Sequence, residues 1–332
     1  MGYARKALIS LQDTPYYHVI GRCVRRSWLC GIDSYTGKDY SHRKQWVLER
    51  LKLLSNVFAL DVCAYAIMSN HYHLVVRVDT QRARSWTTED IIDRWSRVFN
   101  LPALVERRLL GETTAAEAIE AERIVQLWRT RLMNVSWYMR CLNEHLARRA
   151  NAEDDCTGCF WEGRFKSQAL LNDAGLLTAM VYVDLNPVRA GISITPEEAD
   201  FTSIQARIAE LANAKSAATA ETGQSDQFRL LPFKEAPTSP RLPFSFKSYL
   251  TLVDWTSRRT RQDKSDKVDT RVPPILVRLK IDSAAWAAVM RPGGNRFGRA
   301  LGPLNRLRLH ARTLGQDRIK GLHAAAELYS SS

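Results

Sequence analysis

Long apolar runs are missing from this chain. Nowhere do 18 apolar residues follow one another, so no segment is expected to span a membrane. An apolar stretch near the start is missing as well: Arg5 and Lys6 lead into no hydrophobic run, and a secretory leader is not expected. Cysteine is sparse. The six, at 23, 30, 63, 141, 156 and 159, are too scattered in 332 residues to outline a disulfide framework. Without an export signal, a reducing cytoplasm is the compartment they fit. Cys156 and Cys159 form a CxxC, but no second Cys or His pair at zinc-finger spacing follows. Internal repeats are absent. Acidic residues are in deficit, 35 against 48 Lys and Arg, a net charge of +13.

What is present points to a polyanionic partner. The stretch 241–332 holds 18 Lys and Arg against 7 Asp and Glu, while the other residues hold 30 against 28. The excess charge is thus concentrated in the tail. Such a cluster can be an ordinary solvated surface, but neutralising phosphates with release of counterions is the chemistry it suits. A small-molecule enzyme has no use for it.

Hydrophobic patterning predicts a strand from Tyr16 to Arg26 and a helix over Ser41–Phe58, with Ser41 as N-cap. Two apolar runs, Leu60–Met68 and His71–Val78, flank Ser69 and Asn70 as in a tight hairpin. Helices are expected over Glu89–Phe99 and Ala115–Ala150, the second with a stripe of Val135, Tyr138, Met139, Leu142 and Leu146. Phe160–Leu171 reads as strand or hairpin. A helix capped by Asn172 or Asp173 should follow, running through Leu176, Met180 and Tyr182 towards Asn186. Residues 211–243 turn to Ala, Ser, Thr and Pro, as a linker would. Short helical patterns, Ser283–Met290 and Arg299–Thr313, lie in the basic part beyond. The order of elements predicts an α+β fold with helices on one face of a mainly antiparallel sheet.

Two motifs carry chemistry. In His71-Tyr72-His73 the two imidazoles, two residues apart on a strand, project from the same face. Neutral imidazoles so placed can share a divalent cation, although packing alone also produces such pairs. In YVDLNPVRAG, Tyr182 and Asn186 are one helical turn apart, and Pro187 should end the helix near Asn186. They can be a nucleophile and a third metal ligand, or a core aromatic and a C-cap. Taken together, the motifs describe a phenol that attacks a phosphodiester polarised by a cation.

HYHLVV after an MSN turn, GRFKSQALL and YVDLNPVRAGI, in that order, resemble the HUH single-tyrosine transposases of the IS200-like type. The nearest branch is that of the REP-associated tyrosine transposases, and the resemblance covers about residues 12–210. It implies a ferredoxin-like core, often dimeric, that cuts single-stranded DNA near hairpins in the bacterial cytoplasm, at the nucleoid. It implies Tyr182 as nucleophile and His71, His73 and Asn186 as ligands of Mg²⁺ or Mn²⁺. Better-known members often carry Gln where Asn186 stands. Residues 81–135 form a helical insertion beyond the family's compact pattern, and 244–332 a basic, partly helical, DNA-binding extension. Arg22, Arg25, Arg26, Arg164, Lys166 and Arg189 are candidate phosphate contacts, with Trp161 or Phe165 as a base-stacking surface. His18 is expected to be structural and hydrogen-bonded. Two other readings remain open: a domesticated, non-catalytic regulator of hairpin repeats, and a replication initiator or relaxase, which commonly places its tyrosine differently.

Overall fold

The computed structural model describes residues 8–24, 28–216, 230–237, 239–260, 271–291 and 297–329. Its elements run β1 (Tyr16–Arg22), α1 (Arg43–Val57), β2 (Leu60–Ile67) and β3 (His71–Val78). Five helices follow: α2 (Thr80–Ser85), α3 (Thr88–Ser96), α4 (Ala103–Leu109), α5 (Ala115–Leu132) and α6 (Val135–Glu153). Then come β4 (Lys166–Leu170), α7 (Asp173–Asp184), α8 (Asn186–Arg189), α9 (Ser203–Ser216) and α10 (Phe246–Thr260). The chain continues through α11 (Pro274–Arg278), α12 (Ser283–Met290), β5 (Ala300–Leu301), α13 (Leu304–Thr313) and α14 (Leu322–Leu328).

The fold is α+β, built on one open sheet in the order β2-β3-β1-β4-β5. Neighbours among β1 to β4 are antiparallel, and β5 adds to β4 in parallel. The first four strands thus have the order of a split β-α-β, or ferredoxin-like, sheet. Side chains alternate between its faces. His18, Ile20, Arg22, His71, His73 and Val75 share one; Tyr17, Val19, Tyr72, Leu74 and Val76 share the other. α6 covers the second face, where the Tyr72 hydroxyl donates to Asn143 Oδ1, and α1 packs along α6. α7 covers the first. Helices therefore lie on both faces, a correction to the single covered face expected from element order. The reason is that α7 has hardly a polar side: ten of its twelve residues are buried, between the sheet and α10.

Local chemistry explains three further differences. α1 starts at Arg43, with His42 rather than Ser41 at its N-cap and no side-chain cap bond. The helix expected over Ala115–Ala150 breaks at Asn134, whose side chain accepts from the amides of Ser136 and Trp137 and so starts a new helix. The stripe read from the sequence does face the core on α6. Arg299–Thr313 is not all helix: Ala300 and Leu301 pair with Ala169 and Leu170, and α13 begins only after Pro303. Part of the expected linker is also fastened down. Leu230 bridges Val62, and the Leu231 amide donates to the Val62 carbonyl at 2.8 Å, so this segment guards the β2 edge.

The insertion is held together by aromatic stacking, Trp95 on α3 lying 4.9 Å from Trp128 on α5, ring planes 2° apart, and 4.3 Å from Phe99, and Trp95 meets Trp137 of α6 at 5.9 Å. Behind the site, the end of α7 is held by a buried carboxylate. Asp184 accepts from the Ser203 hydroxyl, from the Ile204 amide at 3.0 Å and from the Tyr249 hydroxyl at 2.5 Å. Burial pushes its pKa up to about 6, against the lowering effect of those bonds. Among the described residues, no helix is long and apolar enough to cross a membrane.

Gly21 is required by a close approach. A Cβ there would meet the Tyr72 ring at 2.6 Å. Gly21→Ala should therefore destabilise the fold by about 1–3 kcal/mol, the usual cost of overpacking a dense core. Urea unfolding measures it; an unchanged midpoint would show that the ring moves aside freely.

Candidate active site

β1, β3, β4 and the end of α7 surround a cavity of about 520 Å³ on the histidine face. Among its lining residues are His71, His73, Tyr182 and Asn186, together with Arg22, Arg164, Lys166 and Arg189. Strand alternation and the sheet order bring the imidazoles here, and α7 lays Tyr182 across them. The His71 and His73 rings are 4.9 Å apart, and Tyr182 is 5.9 Å from His73. α7 ends at Asp184, and Asn186 opens the short α8 with Pro187 behind it. The turn keeps Asn186 on the same cavity as Tyr182.

A chain of hydrogen bonds sets the protonation of the histidines. The Gln168 amide Nε2 donates to the Gly298 carbonyl at 2.9 Å, so its Oε1 is the atom that accepts from His18 Nδ1, 3.4 Å away. Neutral His18 then carries no proton on Nε2, which accepts from His73 Nδ1 at 2.9 Å. His73 is left with a bare Nε2, to which Asn186 Nδ2 donates at 3.2 Å. On the neighbouring ring, His71 Nδ1 donates to Asn70 Oδ1 at 2.6 Å, and its Nε2 is bare too. Burial pushes the His18 pKa down to about 4, and burial with Arg22 does the same for His71. His73 is held well below the usual range by burial, then by His18, His71, Arg189 and Arg22. The pocket thus holds two neutral rings, each with a lone pair on Nε2.

This donor set suits a divalent cation. A metal-bound histidine characteristically donates its other N–H to a fixed acceptor, as both rings do here. No three His, Cys, Asp or Glu residues gather as a ligand group among the described residues. A third protein ligand would be Asn186, with its carboxamide turned so that the oxygen, not the Nδ2 that now faces His73, meets the ion.

The other expected residues divide. Arg22, Arg164 and Lys166 are exposed on the cavity rim, as phosphate contacts require. Arg189 also lines the cavity, but its guanidinium donates to the carbonyls of Met290 and Arg291 and lies over the Tyr182 ring at 4.1 Å. It clamps the aromatic ring in place. Arg25 and Arg26 lie outside the described residues. Trp161 and Phe165 are no base-stacking surface: both are buried. Trp161 packs edge-on against Tyr72, and its Nε1 donates to the Asn143 carbonyl at 2.8 Å. His18 is structural and hydrogen-bonded, as expected.

Sequence reasoning missed the roles of Gln168, Asn70 and the Gly298 carbonyl. Gln168 sits inside the GRFKSQALL motif, two residues from Lys166. Its role depends on pairing with His18 across β1 and β4, which no local pattern reveals.

Searches for a matching protein-family model and for a matching curated protein find none. Among solved structures, the chain is similar to a REP-associated tyrosine transposase bound to a REP hairpin. The identity is 14% over 70% of this chain and 99% of that one, with a TM-score of 0.38. A likeness this loose carries no chemistry across, and the pocket is read from its own residues.

The imidazole assignments predict an acid response. An unfolded histidine titrates near 6.5, whereas His18 and His71 stay neutral in the fold until about pH 4. Protons therefore favour the unfolded chain, and this contribution to stability, complete above about pH 6.5, is lost as pH falls towards 4. Ring ¹⁵N spectra at pH 6 should show His18, His71 and His73 as Nδ1–H tautomers. An imidazolium signal from any of them would overturn the assignment.

Proposed function

We propose that this protein is a metal-dependent nuclease and strand transferase of single-stranded DNA, with Tyr182 as nucleophile. The observation that carries the reading is the shared pocket: Tyr182 lies across two neutral imidazoles whose Nε2 atoms carry no proton, inside a rim of basic side chains. A phenol needs an electrophile beside it to be useful, and a phosphodiester needs its charge offset. Arg22, Arg164 and Lys166 supply positive charge at the rim. His71, His73 and Asn186 would hold Mg²⁺ or Mn²⁺, which would supply Lewis acidity to the phosphodiester.

Tyr182 Oη attacks phosphorus as its proton passes to water, and the bond to the 3′-oxygen breaks. The departing oxygen takes a proton and becomes a free 3′-hydroxyl, while the 5′-phosphate stays on the tyrosine. One phosphoester replaces another, so the hydroxyl can reverse the step without an external energy source. Arg189 keeps the Tyr182 ring from rotating away. The substrate we infer is DNA carrying hairpins, REP-like or at an element end, because single strands next to a stem expose both phosphates and bases.

Two tests follow. Full-length protein incubated with 5′- or 3′-labelled hairpin strands and Mn²⁺ should give a covalent adduct that retains the label of the downstream fragment and disappears in Tyr182→Phe. An adduct that persists in Tyr182→Phe would name another nucleophile, and its absence in the wild type with every strand tried would leave a DNA-binding regulator. Gln168→Leu removes the acceptor that orients His18 and, through it, His73. Calorimetric Mn²⁺ affinity should fall by about 10–100-fold, the usual cost of losing such an outer partner. Unchanged affinity would mean that the chain of hydrogen bonds does not serve the metal.

A further inference from the structure

Behind the sheet, on the side away from Tyr182, α1, α3 and α6 border a second cleft of about 930 Å³. Its charged lining is Arg50, Arg97, Arg140, Arg148 and Arg149 against one carboxylate, Glu144. We propose that this cleft binds the sugar–phosphate backbone of a double-stranded DNA stem, as a second contact separate from the reaction pocket. It rests on the reading above only in taking DNA as the partner.

All the cations of this cleft are arginines, whose planar forks match phosphate oxygens in pairs. Their present partners leave them available to a ligand. Arg140 and Arg148 share the single Glu144, and Arg97 pairs with Asp93 on an exposed helical face. Exposed pairs of this kind contribute little, so phosphates can displace them. Arg149 pairs with Glu49 at 3.7 Å, again between exposed side chains, and lies over Trp46 at 4.0 Å, which holds its guanidinium plane in place. Arg50 is half-buried, with Nε donating to the Cys141 carbonyl at 3.1 Å. No carboxylate among the described residues lies within ion-pairing distance of it, and burial pushes its pKa down. His145 on the same wall is pushed down too, by burial first and then by Arg50 and Arg149. The cleft is therefore a partly desolvated cationic surface in want of an anion.

Duplex fits better than single strand. The aromatic ring on the wall, Phe99, is stacked on Trp95 inside the helical insertion, so it offers little face to an unstacked base. Single-strand binding depends on such faces, whereas contacts to a stem fall mainly on phosphates. A protein reading hairpins with two surfaces would hold the stem here and the strand at Tyr182.

The test uses the full chain in EDTA, with a labelled hairpin stem of about 20 base pairs and no single-stranded flank. Anisotropy gives Kd across a salt series for the wild type, for Arg97→Gln/Arg140→Gln/Arg148→Gln, and for a control triple outside both the cleft and the basic tail, Arg84→Gln/Arg107→Gln/Arg123→Gln. All six positions are exposed, and matching thermal midpoints show that both variants fold. Each lost phosphate contact lowers the slope of log Kd against log salt by about 0.9, so the cleft triple should lose about 2–3 units and at least tenfold in affinity near 150 mM salt. Equal slopes for the two triples, or no stem binding by the wild type, would overturn the proposal. A slope difference in a protein that forms no tyrosine adduct would sink the nuclease reading and leave the cleft standing. Adduct formation with equal slopes would do the reverse.

Discussion

The position of α7 hangs on one buried carboxylate. Asp184 takes hydrogen bonds from the start of α9 and from Tyr249 of α10, so it locks three helices together at a single point. Burying such a group is costly unless its oxygens are satisfied, and here both accept. Tyr182 stands two residues earlier on the same helix. The distance from that ring to the histidines is therefore set by a junction on the opposite side of the helix. Arg207, buried beside it, ties α9 to the carbonyls of Cys63 and Leu231 and extends the same junction to the sheet edge.

A second constraint enters from the far end of the chain. The Gly298 carbonyl orients Gln168, Gln168 orients His18, and His18 decides which nitrogen of His73 carries the proton. The carbonyls of Met290 and Arg291 hold Arg189 over Tyr182. The basic C-terminal part thus does more than carry charge. Its backbone carbonyls hold Gln168 behind the pocket and Arg189 in its wall, and β5 extends the sheet by one strand. Further anchors repeat the pattern, from His310 to Asp13 at 2.7 Å and from Tyr329 to Thr178 at 3.1 Å.

The two cavities differ in a way that follows from their walls. On the histidine face, neutral nitrogens, a phenol and a carboxamide sit within a basic rim, a set that can bind a cation and a phosphate together. On the other face five arginines face a single carboxylate, Glu144, beside Ser96, Asn100, Cys141 and His145, a set whose charge attracts an anion. The sheet separates the two, with Tyr72 and Gly21 packed tightly on the side that carries α6.

By itself the sequence determined the features that depend on near neighbours. Alternation placed His71 and His73 on one face of a strand, the Ser69–Asn70 hairpin joined the right pair of strands, and Pro187 ended the helix beside Asn186. The α+β class was legible for the same reason, since periodicity is local. Only the tertiary structure decided which strands became neighbours, and hence that Gln168 and His18 stand behind His73. It also put α7 on the opposite face from α6, turned Trp161 into the core, and made Ala300 and Leu301 a strand instead of a helix turn. Those outcomes come from hydrogen bonds and burial between residues distant in the chain, 150 positions apart for His18 and Gln168, where one segment's preference yields to the partner it meets.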